Sequence, residues 1–327
     1  MAHAVGGDGQ RPRAAHRTSA PGLRGTRRAS LPAKRLIELL DLEHLGLQGA
    51  ISSFLLEVPE PVLVDPGPAT CLDALRARLA ERGLAISDLR AVFLTHIHLD
   101  HAGATGHLAG ENDALTVHVH ADAAPHIADP ERLVRSTRRT FGEEHDRLWG
   151  EVQPVPARNI RPWAPGDRAP LRLLRPISTP GHIGHHLAWL HDRDGVLLCG
   201  DALGVILDRR APVHPPTPAP GVDAEAWQAT LERVRTYDPD RFAVAHFGIY
   251  DDFDARRKEL SDALAALEER ARASLGTDDM RLGEEYERET RERQAVVIGQ
   301  ERARRYFDVF NAANDWAGMR LYLKRLA

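Results

Sequence analysis

The chain has 327 residues, enough for one large domain with an appendage or for two modest domains. Lys and Arg total 43 against 47 Asp and Glu, so the formal net charge is -4 and no overall basic field indicates a nucleic-acid partner. No stretch approaches the roughly 20 apolar residues that cross a bilayer, so we expect no membrane partner either.

The first 34 residues are rich in Arg, Gly, Pro and Ser, with Asp8 as the single acidic residue. Such a composition cannot bury enough apolar surface to offset the entropy of ordering, so residues 1–34 are predicted to be a disordered tail. An Arg-rich tail that contacts RNA or another subunit is the alternative. The segment lacks the apolar core that is typical of a signal peptide.

The two cysteines lie far apart in sequence and are too few for a disulfide framework. Cys199 belongs to the apolar run GVLLCGD and Cys71 to a predicted helix, so both are expected to be buried core thiols. This cysteine content fits a reducing compartment, and we expect a cytoplasmic location.

From about residue 35 the hydrophobic pattern alternates between strand and helix periods. The predicted strands lie at residues 49–58, 61–67, 89–96, 115–120, 171–179, 185–192, 195–201 and 241–246. The predicted helices lie at residues 69–83, 130–149 and 223–236. Two long connections, 150–170 and 205–222, are rich in proline, and connections of this length inside a domain are commonly functional.

The composition changes again after Phe247, where charged helix-forming residues dominate. Helical runs are predicted at residues 254–275, 279–312 and 314–325, and together they form a helical extension over residues 251–327. The extension is expected to pack on the core or to form a homodimer interface, with the shaping of a substrate cleft as the alternative.

A dense polar cluster directly follows the strand predicted at residues 89–96. It contains His96, His98, Asp100 and His101, and polar groups at the end of a buried strand need partners. Neutral imidazole and carboxylate are the ligands that suit zinc and similar metals. One loop can therefore supply half of the ligands of two metal ions.

Three further apolar runs each end in one potential ligand. STPGH ends at His182, LLCGD at Asp201 and FAVAH at His246. Four strand ends that converge on one edge of a sheet predict a metal centre more strongly than any single motif.

The motifs together resemble the metallo-β-lactamase-fold hydrolase superfamily. Asp65 after a strand, T-H-x-H-x-D-H, T-P-G-H, G-D and a strand-terminal histidine occur in that order over roughly residues 45–250. The resemblance implies an α/β (α+β) fold, a four-layer αββα sandwich over a catalytic domain at residues 35–250. It also implies a two-metal site along one edge of the sandwich.

The resemblance further implies a role for each motif residue. One metal ion is expected on His96, His98 and His182, and the other on Asp100, His101 and His246. Asp201 is expected to bridge the two ions, Asp100 to act as a catalytic residue as well as a ligand, and Asp65 to orient a ligand histidine.

The expected cofactors are two zinc ions per chain, which activate a bridging hydroxide for hydrolysis. Asp201 stands where the commonest zinc β-lactamases carry cysteine, and the intact His98 differs from the diiron flavoprotein branch. The resemblance is therefore to the glyoxalase II and lactonase branch, and the predicted substrate is a small-molecule ester, thioester or lactone. The alternatives are a persulfide dioxygenase with one Fe2+ and a catalytically silent metal-binding protein.

Candidates for substrate contacts are fewer and rest on position alone. His120 follows the first motif, Trp149 and His214 fall in insertions, and Tyr250 follows a strand end. His186 is expected to be a strand residue that packs beneath the site.

Overall fold

The computed structural model contains two β-sheets with helices around them, and it describes residues 37–57, 60–164, 174–277 and 281–327. All of these belong to one compact unit from Arg35 to Ala327, and the tail predicted at residues 1–34 lies outside the described residues. The strands are β1 (Ile37–Asp41), β2 (Ser52–Glu57), β3 (Pro61–Val64), β4 (Ala91–Phe93), β5 (Thr116–His120), β6 (Ile160–Trp163), β7 (Arg175–Ser178), β8 (Leu187–His191), β9 (Val196–Leu198), β10 (Arg241–Val244) and β11 (Gly248–Tyr250). The α-helices are α1 (Leu72–Ala80), α2 (Leu99–Ala102), α3 (Thr105–Glu111), α4 (Ala124–Ala128), α5 (Glu131–Phe141), α6 (His145–Trp149), α7 (Ala224–Arg235), α8 (Phe253–Ala273), α9 (Arg281–Ile298), α10 (Gln300–Phe307) and α11 (Ala312–Leu326).

The first sheet has the strand order β1-β2-β3-β4-β5-β6 and the second the order β11-β10-β9-β8-β7. Strands β3 to β6 run parallel to one another, and so do β9 and β10. Because parallel strands end at the same edge of a sheet, the polar residues that follow β3 and β4 lie close together. The same holds for those that follow β9 and β10.

The inner faces of the two sheets pack against each other. Leu56 and Phe93 of the first sheet belong to the same buried cluster as Trp189 of the second, and the Phe93 and Trp189 rings lie 5.0 Å apart. Leu55 and Val92 point the opposite way because side chains alternate along a strand, and they join the cluster that includes the surrounding helices. The expected fold class, an αββα sandwich with a helical extension, is confirmed.

Three short strands depart from the predicted elements. Strands β1 and β11 are outermost strands of three to five residues, and β6 lies inside the connection predicted at residues 150–170. Pro162 argues against a strand in the sequence, but β6 is also an outermost strand, where a missing N–H costs no interior hydrogen bond. Residues 171–173 of the strand predicted at 171–179 lie outside the described residues.

Two predicted helices are interrupted at glycines with positive φ. The helix predicted at residues 130–149 divides into α5 and α6 beside Gly142, whose φ is 55°. The run predicted at 279–312 divides into α9 and α10 at Gly299, whose φ is 85°. Glycine adopts this conformation readily, and it ends a helix.

The helical extension is fixed to the sandwich by side chains that reach core backbone. The Arg302 guanidinium of α10 donates to the carbonyl groups of Gly49 (3.0 Å) and Leu207 (2.9 Å). Gln294 of α9 donates to the Pro212 carbonyl at 2.7 Å. Among the described residues, no helix is long and apolar enough to cross a membrane.

Candidate metal centre

Seven side chains that follow strand ends meet at one edge of the sandwich. Their ligand atoms form three overlapping groups, and within each group all atoms lie within 4.8 Å of one another. The groups are His96, His98 and His182; His96, His101 and Asp201; and Asp100, His101 and His246. The structure therefore brings together every residue that the motifs predict as a metal ligand.

The first group consists of three histidines from two separate segments. His98 Nδ1 lies 3.0 Å from His96 Nε2 and 2.8 Å from His182 Nε2. His96 and His98 precede α2, and His182 lies in the turn between β7 and β8. Three imidazole nitrogens at these distances converge on a common point, as the ligands of a single cation do.

The second group combines carboxylates with histidines. Asp100 Oδ2 lies 3.1 Å from His246 Nε2 and 3.7 Å from His101 Nε2. Asp201 lies between the two groups, with Oδ1 3.4 Å from His101 Nε2 and Oδ2 3.4 Å from His182 Nε2. One carboxylate oxygen of Asp201 thus faces each group.

Backbone carbonyl groups anchor two of these histidines through the other ring nitrogen. His182 Nδ1 lies 2.8 Å from the Pro216 carbonyl oxygen, and His246 Nδ1 lies 2.8 Å from that of Ala50. A carbonyl only accepts, so each Nδ1 carries the proton and each Nε2 keeps its lone pair. That is the tautomer that binds a metal ion, and the hydrogen bond also fixes the plane of the ring.

Asp65 anchors the third histidine. Its backbone adopts a positive φ of 51° directly after β3, and Oδ2 lies 2.9 Å from His101 Nδ1. The same carboxylate accepts hydrogen bonds from the Thr95 amide (2.8 Å) and the Thr95 hydroxyl (2.7 Å). Asp65 therefore holds both the ring of His101 and the start of the motif loop.

Two residues support the centre from beneath. Gly200, at a φ of 49°, passes so close to Thr95 that an added Cβ would lie 2.4 Å from the Thr95 hydroxyl oxygen, which explains the glycine of the G-D motif. His186 is fully buried, accepts a hydrogen bond from the Asp201 amide at 3.3 Å and has its Nδ1 2.7 Å from Thr179 Oγ1. This is the supporting place expected for His186.

Burial and crowding keep His96 and His98 neutral. Burial, together with the charge of His182, lowers the pKa of His98 to about 3. Burial, together with the charge of His101, lowers the pKa of His96 well below its usual value. Neutral imidazole is the form that offers a lone pair to a metal ion.

The second group is governed by its carboxylates. Burial alone would raise the pKa of Asp201 and of Asp100, but the neighbouring histidines, His101 foremost, hold both below the usual range. Burial alone would lower the pKa of His101 and of His246, but the same two carboxylates raise both. Two buried carboxylates stay ionised here, so the centre favours positive charge.

The arrangement fits metal ions better than it fits hydrogen bonding alone. His101 Nε2 and Asp201 Oδ1 are both buried and have no hydrogen-bond partner within the described chain. Buried polar atoms without partners also occur elsewhere in the described residues, but these two lie among the other donor atoms of the centre, and this clustering indicates a missing ligand. Five histidines and two carboxylates form a donor set that suits zinc or a similar divalent ion.

A cavity of about 410 Å³ opens directly onto the centre. Most of its wall is apolar, and the larger contributors are Ile97, Leu133, Phe141, Trp149, Val309 and Phe310. Arg132 of α5 also borders it and has no ion-pair or hydrogen-bond partner in the described part of the chain. The cavity therefore suits a substrate with an apolar body and room for an anionic group at Arg132.

The four predicted substrate contacts divide evenly. Trp149 and His214 border the cavity. His120 and Tyr250 do not: His120 Nδ1 accepts from the Asp122 amide beyond β5, and the Tyr250 hydroxyl donates to the Ile206 carbonyl at 2.7 Å. Position after a strand end does not bring these two side chains to the cavity.

Sequence reasoning did not single out the cavity residues of the helical extension. Tyr306 and Phe310 border the cavity together with Asn311, Asn314 and Asp315. Burial and the charges of Asp201 and Asp100 raise the pKa of Tyr306 well above its usual value. The aromatic run YFDVF at residues 306–310 was the available signal, but nothing in it indicates which side faces the centre.

Comparison with known families and proteins gives concordant matches. The family model described as the metallo-beta-lactamase superfamily matches residues 48–246. The chain is 23% identical over 312 residues to the probable metallo-hydrolase YqjP of Bacillus subtilis (strain 168), which covers 85% of this chain and 94% of that protein. It is 32% identical over 143 residues to a hydroxyacylglutathione hydrolase of Shewanella sp. (strain ANA-3), which covers 43% of this chain and 42% of that protein.

Solved structures of the same fold also match. The metallo-beta-lactamase family protein TTHA1429 from Thermus thermophilus has a TM-score of 0.63 at 24% identity, over 89% of this chain and 94% of that one. The metallo-beta-lactamase superfamily protein ST1585 from Sulfolobus tokodaii has a TM-score of 0.60 at 19% identity, over 88% and 99%. At these identities the matches show the fold alone.

Proposed function

We propose that this chain, which belongs to the metallo-beta-lactamase superfamily, is a dinuclear zinc hydrolase that cleaves an ester, thioester or lactone of a small molecule. The family resemblance predicted from the motifs is confirmed by the family match, and metallo-hydrolases are among the relatives. The observation that carries the proposal is the convergence of two ligand groups around Asp201, at the mouth of an apolar cavity.

In this proposal His96, His98 and His182 hold one ion, and Asp100, His101 and His246 hold the other. Asp201 serves both, because each of its oxygens faces a different group. Two bound zinc ions would polarise the acyl oxygen and lower the pKa of a water toward 7.

The residues of the chain orient the attacking water and the ligand histidines, and they exclude bulk water from the substrate. Asp100 keeps its carboxylate ionised and is 14% exposed at its side chain, so its outer oxygen can accept a hydrogen bond from the attacking water and direct it. Pro216 and Ala50 hold His182 and His246 in the tautomer that the centre needs. The apolar wall excludes bulk water from the acyl carbon and favours apolar acyl groups.

The relatives support a thioester among the three bond types. The hydroxyacylglutathione hydrolase of Shewanella sp. (strain ANA-3) matches 43% of the chain at 32% identity. Because that match spans only 42% of the relative, we extend to this chain the bond type and not the glutathione portion.

Metal analysis joined to a substrate panel tests the proposal. We expect two zinc ions per chain and hydrolysis of acyl thioesters or 4-nitrophenyl esters. His98→Ala and Asp201→Asn should each lower the bound zinc and abolish turnover. His107→Ala is the matched control, since this histidine lies on α3 outside the centre and, within the described residues, its side chain makes a hydrogen bond only with the Glu151 carbonyl.

Each other outcome has a distinct meaning. Wild-type zinc content in both variants would show that the site is assigned wrongly. One iron per chain with oxygen consumption on a persulfide would favour the dioxygenase alternative. Full metal loading without turnover on any ester, thioester or lactone would favour a silent metal-binding protein.

A further inference from the structure

Tyr306 is a buried tyrosine that the helical extension places beside the metal centre. It lies on α10, is 2% exposed and borders the cavity. Its ring centroid is 6.1 Å from that of His246 and 4.8 Å from that of Phe310. Arg302, one helical turn earlier, is fixed to core carbonyl groups, so α10 holds this ring in a defined position.

No group among the described residues makes a hydrogen bond to the Tyr306 hydroxyl, whereas the hydroxyls of two other buried tyrosines are paired. The Tyr250 hydroxyl donates to the Ile206 carbonyl, and the Tyr322 hydroxyl accepts from the Glu225 amide at 3.3 Å. Buried hydroxyl groups are nearly always paired, with protein or with a bound molecule. Tyr306 borders the cavity, and its hydroxyl is not one of the fully buried atoms without a partner, so it is accessible to a ligand in the cavity.

We propose that Tyr306 is a catalytic residue whose hydroxyl donates a hydrogen bond to the acyl oxygen of the substrate during hydrolysis. This inference rests on the proposed function. It assigns a part of the reaction to the helical extension, outside the family match at residues 48–246.

The chemistry favours the acyl oxygen over the leaving group. When the oxygen of water bonds to the acyl carbon, one water proton passes to the Asp100 carboxylate and the carbonyl π electrons move onto the acyl oxygen, which becomes a strong base. When the double bond re-forms, the C–S bond breaks and sulfur leaves with the electron pair as a thiolate, and Asp100 releases its proton to solvent. A thiolate, with a conjugate-acid pKa near ~8.5, gains less from a phenol donor than the alkoxide-like oxygen does. Tyr306 keeps its own proton throughout.

Tyr306→Phe tests this role, with Tyr322→Phe as the matched control. Tyr322 is also a buried tyrosine of the extension, but it lies away from the cavity and its hydroxyl is paired with backbone. We expect Tyr306→Phe to lower kcat by roughly 100-fold, which is the lower end of the loss seen when one hydrogen-bond donor to an oxyanion is removed. KM should change little, and the zinc content should stay at the wild-type level. Tyr322→Phe should keep the wild-type kcat.

The leaving group provides a second criterion. The loss of kcat in Tyr306→Phe should be the same for 4-nitrophenyl and phenyl esters of one acid. A loss that is much larger for the phenyl ester, whose leaving group is the stronger base, would show that Tyr306 serves the leaving group and would overturn the proposal. A wild-type kcat in Tyr306→Phe would overturn it as well.

A binding measurement keeps the test independent of turnover. Hexylphosphonate carries a tetrahedral anionic centre like that of the reacting acyl carbon, and its affinity for the zinc-loaded protein is measured by calorimetry. We expect Tyr306→Phe to weaken binding about 10- to 100-fold, as for the loss of a hydrogen bond to a charged group, and Tyr322→Phe to leave it unchanged. Equal binding by wild type and Tyr306→Phe would overturn the proposal even if no ester is turned over.

Thermal unfolding identifies a folding defect. Removing a buried hydroxyl that has no partner should leave the melting temperature unchanged or slightly raised. A marked fall would show that the hydroxyl is paired inside the protein, which contradicts the role assigned to it.

Discussion

Replacing Asp65 by asparagine should selectively weaken the metal site that uses His101. The carboxylate accepts three hydrogen bonds, two from Thr95 and one from His101 Nδ1. Asparagine can still accept the hydrogen bond of the Thr95 amide, but its NH₂ group then faces His101 Nδ1. The ring must move its proton to Nε2 to accept this new donor, and a protonated Nε2 cannot bind a metal ion.

The size of the effect follows from what the hydrogen bond does. Losing the partner that orients a ligand histidine costs about 10- to 100-fold in metal affinity. This corresponds to ~1.4–2.8 kcal/mol on the affected site. The other ligand group is linked to Asp65 only indirectly, because Thr95 Oγ1, which donates to Asp65, lies 3.1 Å from His96 Nδ1. The affinity of this second site should therefore change less than that of the site with His101.

Zinc titration against a chelator of known affinity measures both sites. Wild type should bind two equivalents tightly, and Asp65→Asn should bind one tightly and one 10- to 100-fold more weakly. Asp41→Asn is the control, because Asp41 also accepts two backbone N–H groups, from Glu43 and Gly49, but lies outside the centre. Two equivalents at wild-type affinity in Asp65→Asn would refute the reasoning.

Two further predictions concern the substrate and the pH dependence of stability. Arg132→Ala should raise KM about 5-fold for an acyl ester with a terminal carboxylate, because an exposed ion pair contributes up to ~1 kcal/mol, and should leave the KM of the neutral analogue unchanged. Arg139→Ala, on the same helix but outside the cavity lining, should change the KM of neither ester. An equal change of KM for both esters in Arg132→Ala would contradict an anion contact. Burial lowers the pKa of His118 to about 4, whereas a histidine in the unfolded chain has a pKa of ~6.5. At a pH between these two pKa values the unfolded chain binds more protons than the folded chain, so the free energy of unfolding falls as the pH falls. At about pH 5 the buried His118 lowers the free energy of unfolding by ~2 kcal/mol. His118→Gln should recover this stability, because glutamine still accepts a hydrogen bond from Trp163 Nε1 and does not titrate. Urea unfolding at about pH 7 and pH 5 measures the loss of stability in each protein, and an equal loss in wild type and His118→Gln would contradict the prediction.

The convergence of the candidate metal ligands could be predicted from the sequence because the motifs that carry them follow apolar runs. His96, Asp201 and His246 lie within three residues of the end of a buried strand, so the strand order alone brings them to one edge. The wall of the cavity could not be predicted in the same way. Arg132 and Phe310 reach it from α5 and from the turn after α10, and no local pattern records how helices distant in sequence lie over the sheet edge.

Element boundaries failed where a single residue overrides the periodic pattern. The helical pattern continues through Gly142 and Gly299, but the positive φ of each glycine interrupts it. Pro162 argues against a strand at β6, because proline is tolerated only at the edge of a sheet. The edge position of β6 follows from its pairing with β5, which the local sequence does not reveal. Tertiary context decides these cases.

The helical extension also controls the geometry of a predicted metal ligand through the proline-rich loop. Asp315 of α11 accepts a hydrogen bond from the Thr217 amide at 2.7 Å, and its other oxygen lies 2.8 Å from His214 Nε2. Between these two anchored residues lies Pro216, whose carbonyl fixes the ring of His182.

The contact between α11 and this loop is tight enough to transmit a change. A Cβ added at Gly318 would lie 1.8 Å from the Thr217 carbonyl oxygen, so no larger residue fits without moving the loop. A shift of the loop would move the Pro216 carbonyl and with it the orientation of His182. The extension is therefore coupled to the first candidate ligand group as well as to the cavity, and the residues that shape the candidate site lie beyond the family match at residues 48–246 as well as within it.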